Sequence, residues 1–388
     1  PLATFAMKAY EDDPCEAFIP LNTPAENLGS TQIKLISKMH KAIMVMEMKL
    51  IGEIVQRNPE MHMEDRLLLD RIDYQKGCII IDGRELELID TNFPTIDPEN
   101  PYELSSEEQE LIEKLRFSFL SCDRLERHVK TLFSKGSTYL VYNSNLLYHG
   151  CIPLDENGDF KELSLHGKLY KGKALCEQFD LISRRAFFNR DQSDKLSKDR
   201  DYMWYLWCGS ESPLFGKKKM TTFERYLLND KEAQKEDSNT YYKLRDDHET
   251  ICRILREFGL DPEVSHIVNG HVPVKVSKGE SPVKAGGKLF VIDGGMSKPY
   301  QKVTGIAGYT LMYDSYSLIL AEHAPFESRR KAILEEEDIV STRSMIEHAI
   351  NRIRVGDTDI GIKVRQQIQD LQRLLDAYRL GVVKVKTV

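Results

Sequence analysis

The chain has 388 residues, 41% hydrophobic and 30% charged, with a net charge of −7. That length allows two or three domains with a sizeable core, and the composition is that of a soluble globular protein. The negative balance gives no reason to expect nucleic acid or an anionic membrane as partner, so an anionic substrate would need a local basic patch or a metal. Seven scattered cysteines (Cys15, Cys78, Cys122, Cys151, Cys176, Cys208 and Cys252) form no CxxC motif. They read as reduced, mostly buried thiols of a cytoplasmic protein. No secretory signal is recognised, and the longest uncharged stretch, 136–154, is too interrupted by polar residues to suggest a membrane span.

In chain order, residues 1–30, with Pro14, Pro20 and Pro24, read as irregular. Apolar residues recurring at three and four from Thr31 to Arg57 predict a long helix, whose Met39, Met44, Met46 and Met48 read as core rather than as a binding face. Residues 77–90 read as two strands joined at Asp82-Gly83, a pair suited to a tight hairpin turn. A Pro-rich connector covers 92–101. Ser105 and Glu108 form a capping box that opens a helix to about Ser134. Strands are then expected at Thr138–Tyr142 and Asn145–His149, a helix at Lys173–Phe188, a strand at Met203–Trp207 and a helix at Thr240–Phe258. Further strands follow at Ser265–Val268 and Lys288–Asp293, and a hairpin across Tyr309–Ala321. A charged segment, 327–338, precedes a final amphipathic helix over 359–380. Strand–helix alternation followed by meanders predicts a mixed-sheet α/β sandwich.

Two histidines close apolar strands just before a Gly or Pro turn: His149 in Leu146-Leu-Tyr-His-Gly-Cys-Ile-Pro153 and His271 in Val268-Asn-Gly-His-Val-Pro-Val-Lys275. Imidazoles at strand ends suit a divalent metal, although a lone His there is more often a hydrogen-bonded structural residue. Gly167-Lys-Leu-Tyr-Lys-Gly-Lys-Ala174 has P-loop spacing but carries Ala where magnesium binding needs a hydroxyl, so nucleotide binding is not expected. Lys217, Lys218 and Lys219 form one phosphate-binding candidate, with a solvated loop as the plain alternative. Lys275, Lys278 and Ser281 form another. Val291-Ile-Asp-Gly-Gly-Met-Ser297 runs a strand into two glycines, where backbone can approach a ligand or simply turn.

Taken in order with Trp204-Tyr-Leu-Trp-Cys-Gly209, Ser212-Pro-Leu-Phe-Gly-Lys217, Lys278-Gly-Glu-Ser-Pro-Val-Lys284 and Leu289-Phe-Val-Ile-Asp-Gly-Gly-Met-Ser-Lys298, the histidine motifs resemble class III (bacterial) fructose-1,6-bisphosphatase of the calcineurin-like metallophosphoesterase superfamily. The resemblance implies a calcineurin-like α/β/β/α sandwich with a dinuclear manganese site. It implies hydrolysis of fructose 1,6-bisphosphate to fructose 6-phosphate and phosphate, a gluconeogenic step. By motif match His149 and His271 become the trailing metal ligands, and residues 212–219 lie near the substrate.

The superfamily's Asp-x-His, Gly-Asp-x-x-Asp-Arg and Gly-Asn-His-Asp/Glu motifs are not found. Two dications about 3.7 Å apart repel by roughly 18 kcal/mol at an effective dielectric of about 20. Two neutral imidazoles do not offset that. The chain is therefore expected to be the C-terminal part of such a protein, its N-terminal part lacking, with a metal site and catalytic groups completed by upstream sequence and the segment alone inactive. The expected layout is a helical insertion with a hairpin (1–135), the C-terminal part of the sandwich (136–325), and a charged segment with the final helix (326–388). A homo-oligomer is expected, with the Met-rich and final helices as subunit contacts. A non-catalytic scaffold that kept the fold, or a phosphoesterase for another substrate, are the competing readings.

Overall fold

The computed structural model describes residues 1–20, 29–189, 194–295, 297–326, 328–336, 341–349 and 351–384. Expectations resting on Pro24, Met296 and residues 327, 337 and 338 lie outside the described residues. The chain divides into two compact units: Pro1–Ser137 with Phe160–Asn239, and Thr138–Asp159 with Thr240–Val388. The first segment of unit one carries α1 (Leu2–Ala9), α2 (Ser30–Arg57), β1 (Ile72–Asp73), β2 (Cys78–Ile81), β3 (Arg84–Glu87), α3 (Ser106–Leu120) and α4 (Asp123–Lys135). Unit two begins with β4 (Tyr139–Tyr142) and β5 (Asn145–Tyr148). The chain returns to unit one through β6 (Leu163–Leu165), β7 (Lys168–Tyr170), α5 (Gly172–Phe188), α6 (Asp194–Cys208) and α7 (Thr222–Leu227). It completes unit two with α8 (Tyr241–Leu244), α9 (His248–Glu257), β8 (His266–Asn269), β9 (Val283–Lys284), β10 (Leu289–Val291), α10 (Lys298–Thr304), β11 (Gly308–Tyr313), β12 (Ser317–His323), α11 (Arg329–Leu334), β13 (Ser341–His348) and α12 (Asp359–Arg379).

Unit one is built on α2. Met44, Met46 and Met48 are buried, and Met39 packs against their cluster, so the methionines are core. The β2–β3 turn places Asp82 at φ 49° and Gly83 at φ 74°, the two left-handed positions that favour Gly and Asp. Ser105 accepts from the Glu108 N–H while the Glu108 carboxylate accepts from the Ser105 N–H, completing the capping box. The single helix expected from there is two, α3 and α4, parted at Ser121-Cys122. The irregular start is also corrected, since Leu2–Ala9 is helical and buries Phe5 and Ala6. The strand expected at Met203–Trp207 is the last turns of α6. Tyr202, Tyr205 and Leu206 are buried there at helical spacing, and burial of that face overrides the β preference of an aromatic run. The P-loop-like stretch forms no phosphate loop: His166-Gly167 turns the β6–β7 hairpin, and Lys168–Tyr170 is strand.

Unit two holds a five-stranded mixed sheet of order β4-β5-β8-β10-β9 among the described residues. The pairs β5–β8 and β8–β10 are parallel; β4 and β9 are antiparallel edges. Burial of all four β8 residues and all three of β10 explains their unbroken apolar runs. The helix expected over 240–258 is α8 then α9, because the Asp247 carboxylate caps a new start on the Thr250 N–H. The hairpin β11–β12 gains a third strand, β13, that its exposed, polar sequence did not announce. The final helix forms as expected, with Ile368 and Leu371 of its apolar face exposed. The mixed α/β class therefore holds, while the four-layer sandwich remains what the resemblance implies. Among the described residues no helix is long and apolar enough to cross a membrane.

Candidate metal site at the ends of the parallel strands

The three parallel strands end side by side, pairing Tyr148 with Asn269 and Asn269 with Val291. Open sheets present ligand-binding groups at such carboxyl ends. His149 follows β5 by one residue and His271 follows β8 by two. His271 Nδ1 and His149 Nε2 are 3.0 Å apart, with ring centroids 4.9 Å apart and planes at 79°. The pair shares a hydrogen bond at the surface of unit two.

Backbone geometry aims the second ring. His271 has φ 67°, and the Val272 N–H donates to the Gly270 carbonyl at 2.8 Å, so His271 sits at the centre of a γ-turn. Such a conformation costs a non-glycine residue on the order of 1–3 kcal/mol. Asn269 locks the two strand ends together. Its Nδ2 donates to the carbonyls of His149 (3.1 Å) and Gly150 (2.8 Å), and the Gly270 N–H adds a bond to the His149 carbonyl at 3.1 Å. Asn269 Oδ1 is buried without a hydrogen-bond partner. At the end of β10, the Asp293 carboxylate accepts from the Gly295 N–H at 2.9 Å, so the double glycine is used as a turn.

The donor set fits a single dication better than two. Two imidazole nitrogens held 3.0 Å apart can both face one dication that takes the place of the shared proton. Among the described residues no group of three or more His, Cys, Asp or Glu could hold a metal ion. No carboxylate is therefore placed to bridge two ions, and the dinuclear centre implied by the resemblance does not fit the residues described.

The other expected site residues are placed variously. Lys275 and Lys278 are exposed on the loop leaving His271. Ser281 is tied locally, donating to the Val283 carbonyl at 3.2 Å and accepting from its N–H at 3.1 Å. Lys217, Lys218 and Lys219 belong to unit one. There Lys217 pairs with Glu236 at 2.5 Å, and Lys219 approaches Asp82 at 3.9 Å. Burial would raise the Glu236 carboxyl, but Lys217 and the Thr221 N–H outweigh it and hold the group below its ordinary range. Ser212 is buried in a turn, donating to the Leu206 carbonyl and accepting from the Leu214 and Phe215 N–H groups. The sequence reading missed Asn269 as a strand lock, although it stands inside the quoted motif beside His271.

A mixed α/β protein that presents paired imidazoles on its parallel strand ends places them where open sheets bind their ligands. The family model described as Firmicute fructose-1,6-bisphosphatase matches residues 1–380, and the chain belongs to that family. The class 3 fructose-1,6-bisphosphatase of Clostridium novyi (strain NT) is 53% identical over 384 residues, covering 99% of this chain and 58% of the relative. That of Clostridium botulinum (strain Langeland / NCTC 10281 / Type F) is 56% identical over 385 residues, covering 99% and 57%. The chain thus spans under two thirds of the length of these relatives. No solved structure matches. The expectation that the likeness is to the C-terminal part of the family alone is not borne out, because the family model itself matches 1–380. Nor do the comparisons support a site that depends on upstream sequence or a segment inactive by itself.

Proposed function

We propose that this protein hydrolyses fructose 1,6-bisphosphate to fructose 6-phosphate and phosphate, a gluconeogenic step, with manganese held by His149 and His271. The observation that carries the reading is the 3.0 Å imidazole pair at the strand ends, in a chain whose relatives are named for this reaction. A bound dication would polarise a phosphoryl oxygen and lower the pKa of water. The chain's own residues do the rest. Neutral imidazoles supply the ligand nitrogens, Asn269 fixes their spacing by holding β5 to β8, and Lys275 and Lys278 bring positive charge for the substrate's phosphates. The seven free cysteines suit a reducing compartment, which supports the cytoplasm.

Manganese titrated into the protein should bind, and His271→Ala should abolish most of that binding together with phosphate release. Unchanged metal uptake in His271→Ala would reject the ligand assignment. Metal uptake without phosphate release from fructose 1,6-bisphosphate would favour a scaffold or another substrate.

A further inference from the structure

We propose that the segment Tyr241–Arg245 is a clasp that sets the spacing of His149 and His271, with Tyr242 and Arg245 as its positioning residues. The proposal rests on the reading of the two histidines as metal ligands. One arm of the clasp grips the residues on either side of His149. Tyr148 Oη donates to Tyr241 Oη at 2.8 Å, and Tyr242 Oη donates to the Gly150 carbonyl at 3.1 Å. That carbonyl also accepts from Asn269 Nδ2, so the clasp and the strand lock meet on one atom.

The other arm grips the loop that leaves His271. Arg245 Nη2 donates to Glu280 Oε1 at 2.6 Å. Glu280 Oε2 accepts from the Lys275 N–H at 3.0 Å, four residues beyond His271. Lys284 reinforces Glu280 at 3.5 Å and reaches Asp246 at 3.2 Å. The Arg245 guanidinium lies 5.6 Å from the Tyr242 ring centroid, which couples the two arms. The Arg245 side chain is only 10% exposed, so its bond to Glu280 acts where water screens little. Partners hydrogen-bonded to a ligand itself typically carry 10- to 100-fold in metal affinity, and the clasp, acting one step further out through the residues beside each histidine, takes the lower end of that range.

The test uses Tyr242→Phe, which removes one hydroxyl, and Arg245→Lys, which keeps charge but not the planar fork. Manganese affinity is followed by electron paramagnetic resonance. The imidazole nitrogens of the metal-free protein are followed by 15N NMR, and folding by thermal unfolding. Each variant should bind manganese about 10-fold more weakly, with shifted His149 and His271 nitrogen signals and a nearly unchanged unfolding midpoint. Wild-type affinity and signals in both variants, while His271→Ala loses the metal, would overturn the clasp and leave the metal reading standing. Affinity that falls only in step with the unfolding midpoint would also overturn it. If His271→Ala keeps the metal, the metal reading fails instead, and the nitrogen signals of the metal-free variants still decide the clasp.

Discussion

His271 carries two roles that pull against each other. Its ring completes the imidazole pair, while its backbone occupies the left-handed centre of a γ-turn. Glycine accepts that conformation freely and alanine does not. His271→Gly should therefore be more stable than His271→Ala by about 1 kcal/mol, read as a higher unfolding midpoint, although both lose the ring. Equal midpoints would mean that the turn relaxes once the imidazole is gone. The histidines were legible in the sequence because an apolar run ending at His-Gly or Gly-His-Val-Pro marks a strand end. Tyr242, Arg245 and Glu280 were not. Their importance lies in bonds to residues 35 to 92 positions away, which no local pattern announces.

At the scale of elements, α2 has the period of a long amphipathic helix, yet its buried face includes three lysines. Lys41 is fully buried, bonded to Asp13 at 2.5 Å and Asp90 at 2.6 Å, with the rings of Tyr10, Phe18 and Phe93 around it. Lys49 reaches Glu108 at 2.7 Å, the same carboxylate that completes the α3 capping box. Lys38 donates to the carbonyls of Tyr10 and Glu11. Burying charge is tolerable only where every charge is met. Lys41→Met should cost about 3–5 kcal/mol because it strands two carboxylates; an unfolding midpoint within a degree of wild type would refute this. Hydrophobic period located α2 to within a residue, but it could not show which polar positions on the inner face find partners. The same limit explains Met203–Trp207, where composition favoured a strand and the burial of Tyr202, Tyr205 and Leu206 made a helix.

For the whole molecule, ionic contacts set the response to acid. Burial would raise the carboxyls of Asp13, Asp199 and Glu60, but Lys41, Arg185 with His166, and Lys198 respectively outweigh it and hold them below the usual range. Each therefore binds a proton less readily folded than unfolded. Each contributes stability above about pH 4 and loses it as pH falls through its folded value. Burial also lowers His266, against the pull of Glu347 2.7 Å away, so its contribution begins to fade below about pH 6.5. The unfolding midpoint should fall gently on acidification from neutral pH and steeply below about pH 4, and His266→Gln should remove the upper limb. A midpoint that rises on acidification would contradict this assignment.

The two rings that meet at 3.0 Å stand 122 residues apart in the chain, and the whole of Phe160–Asn239 is threaded between them. A ribosome that has just released β5 has made a hairpin partner for β4 but only one of the two imidazoles. Closing so long a loop costs entropy that is recovered only when β5 zips onto β8. The pair is thus timed by topology: an unfinished chain presents a lone histidine, and the two imidazoles meet only after synthesis has passed His271 and the parallel ladder has closed.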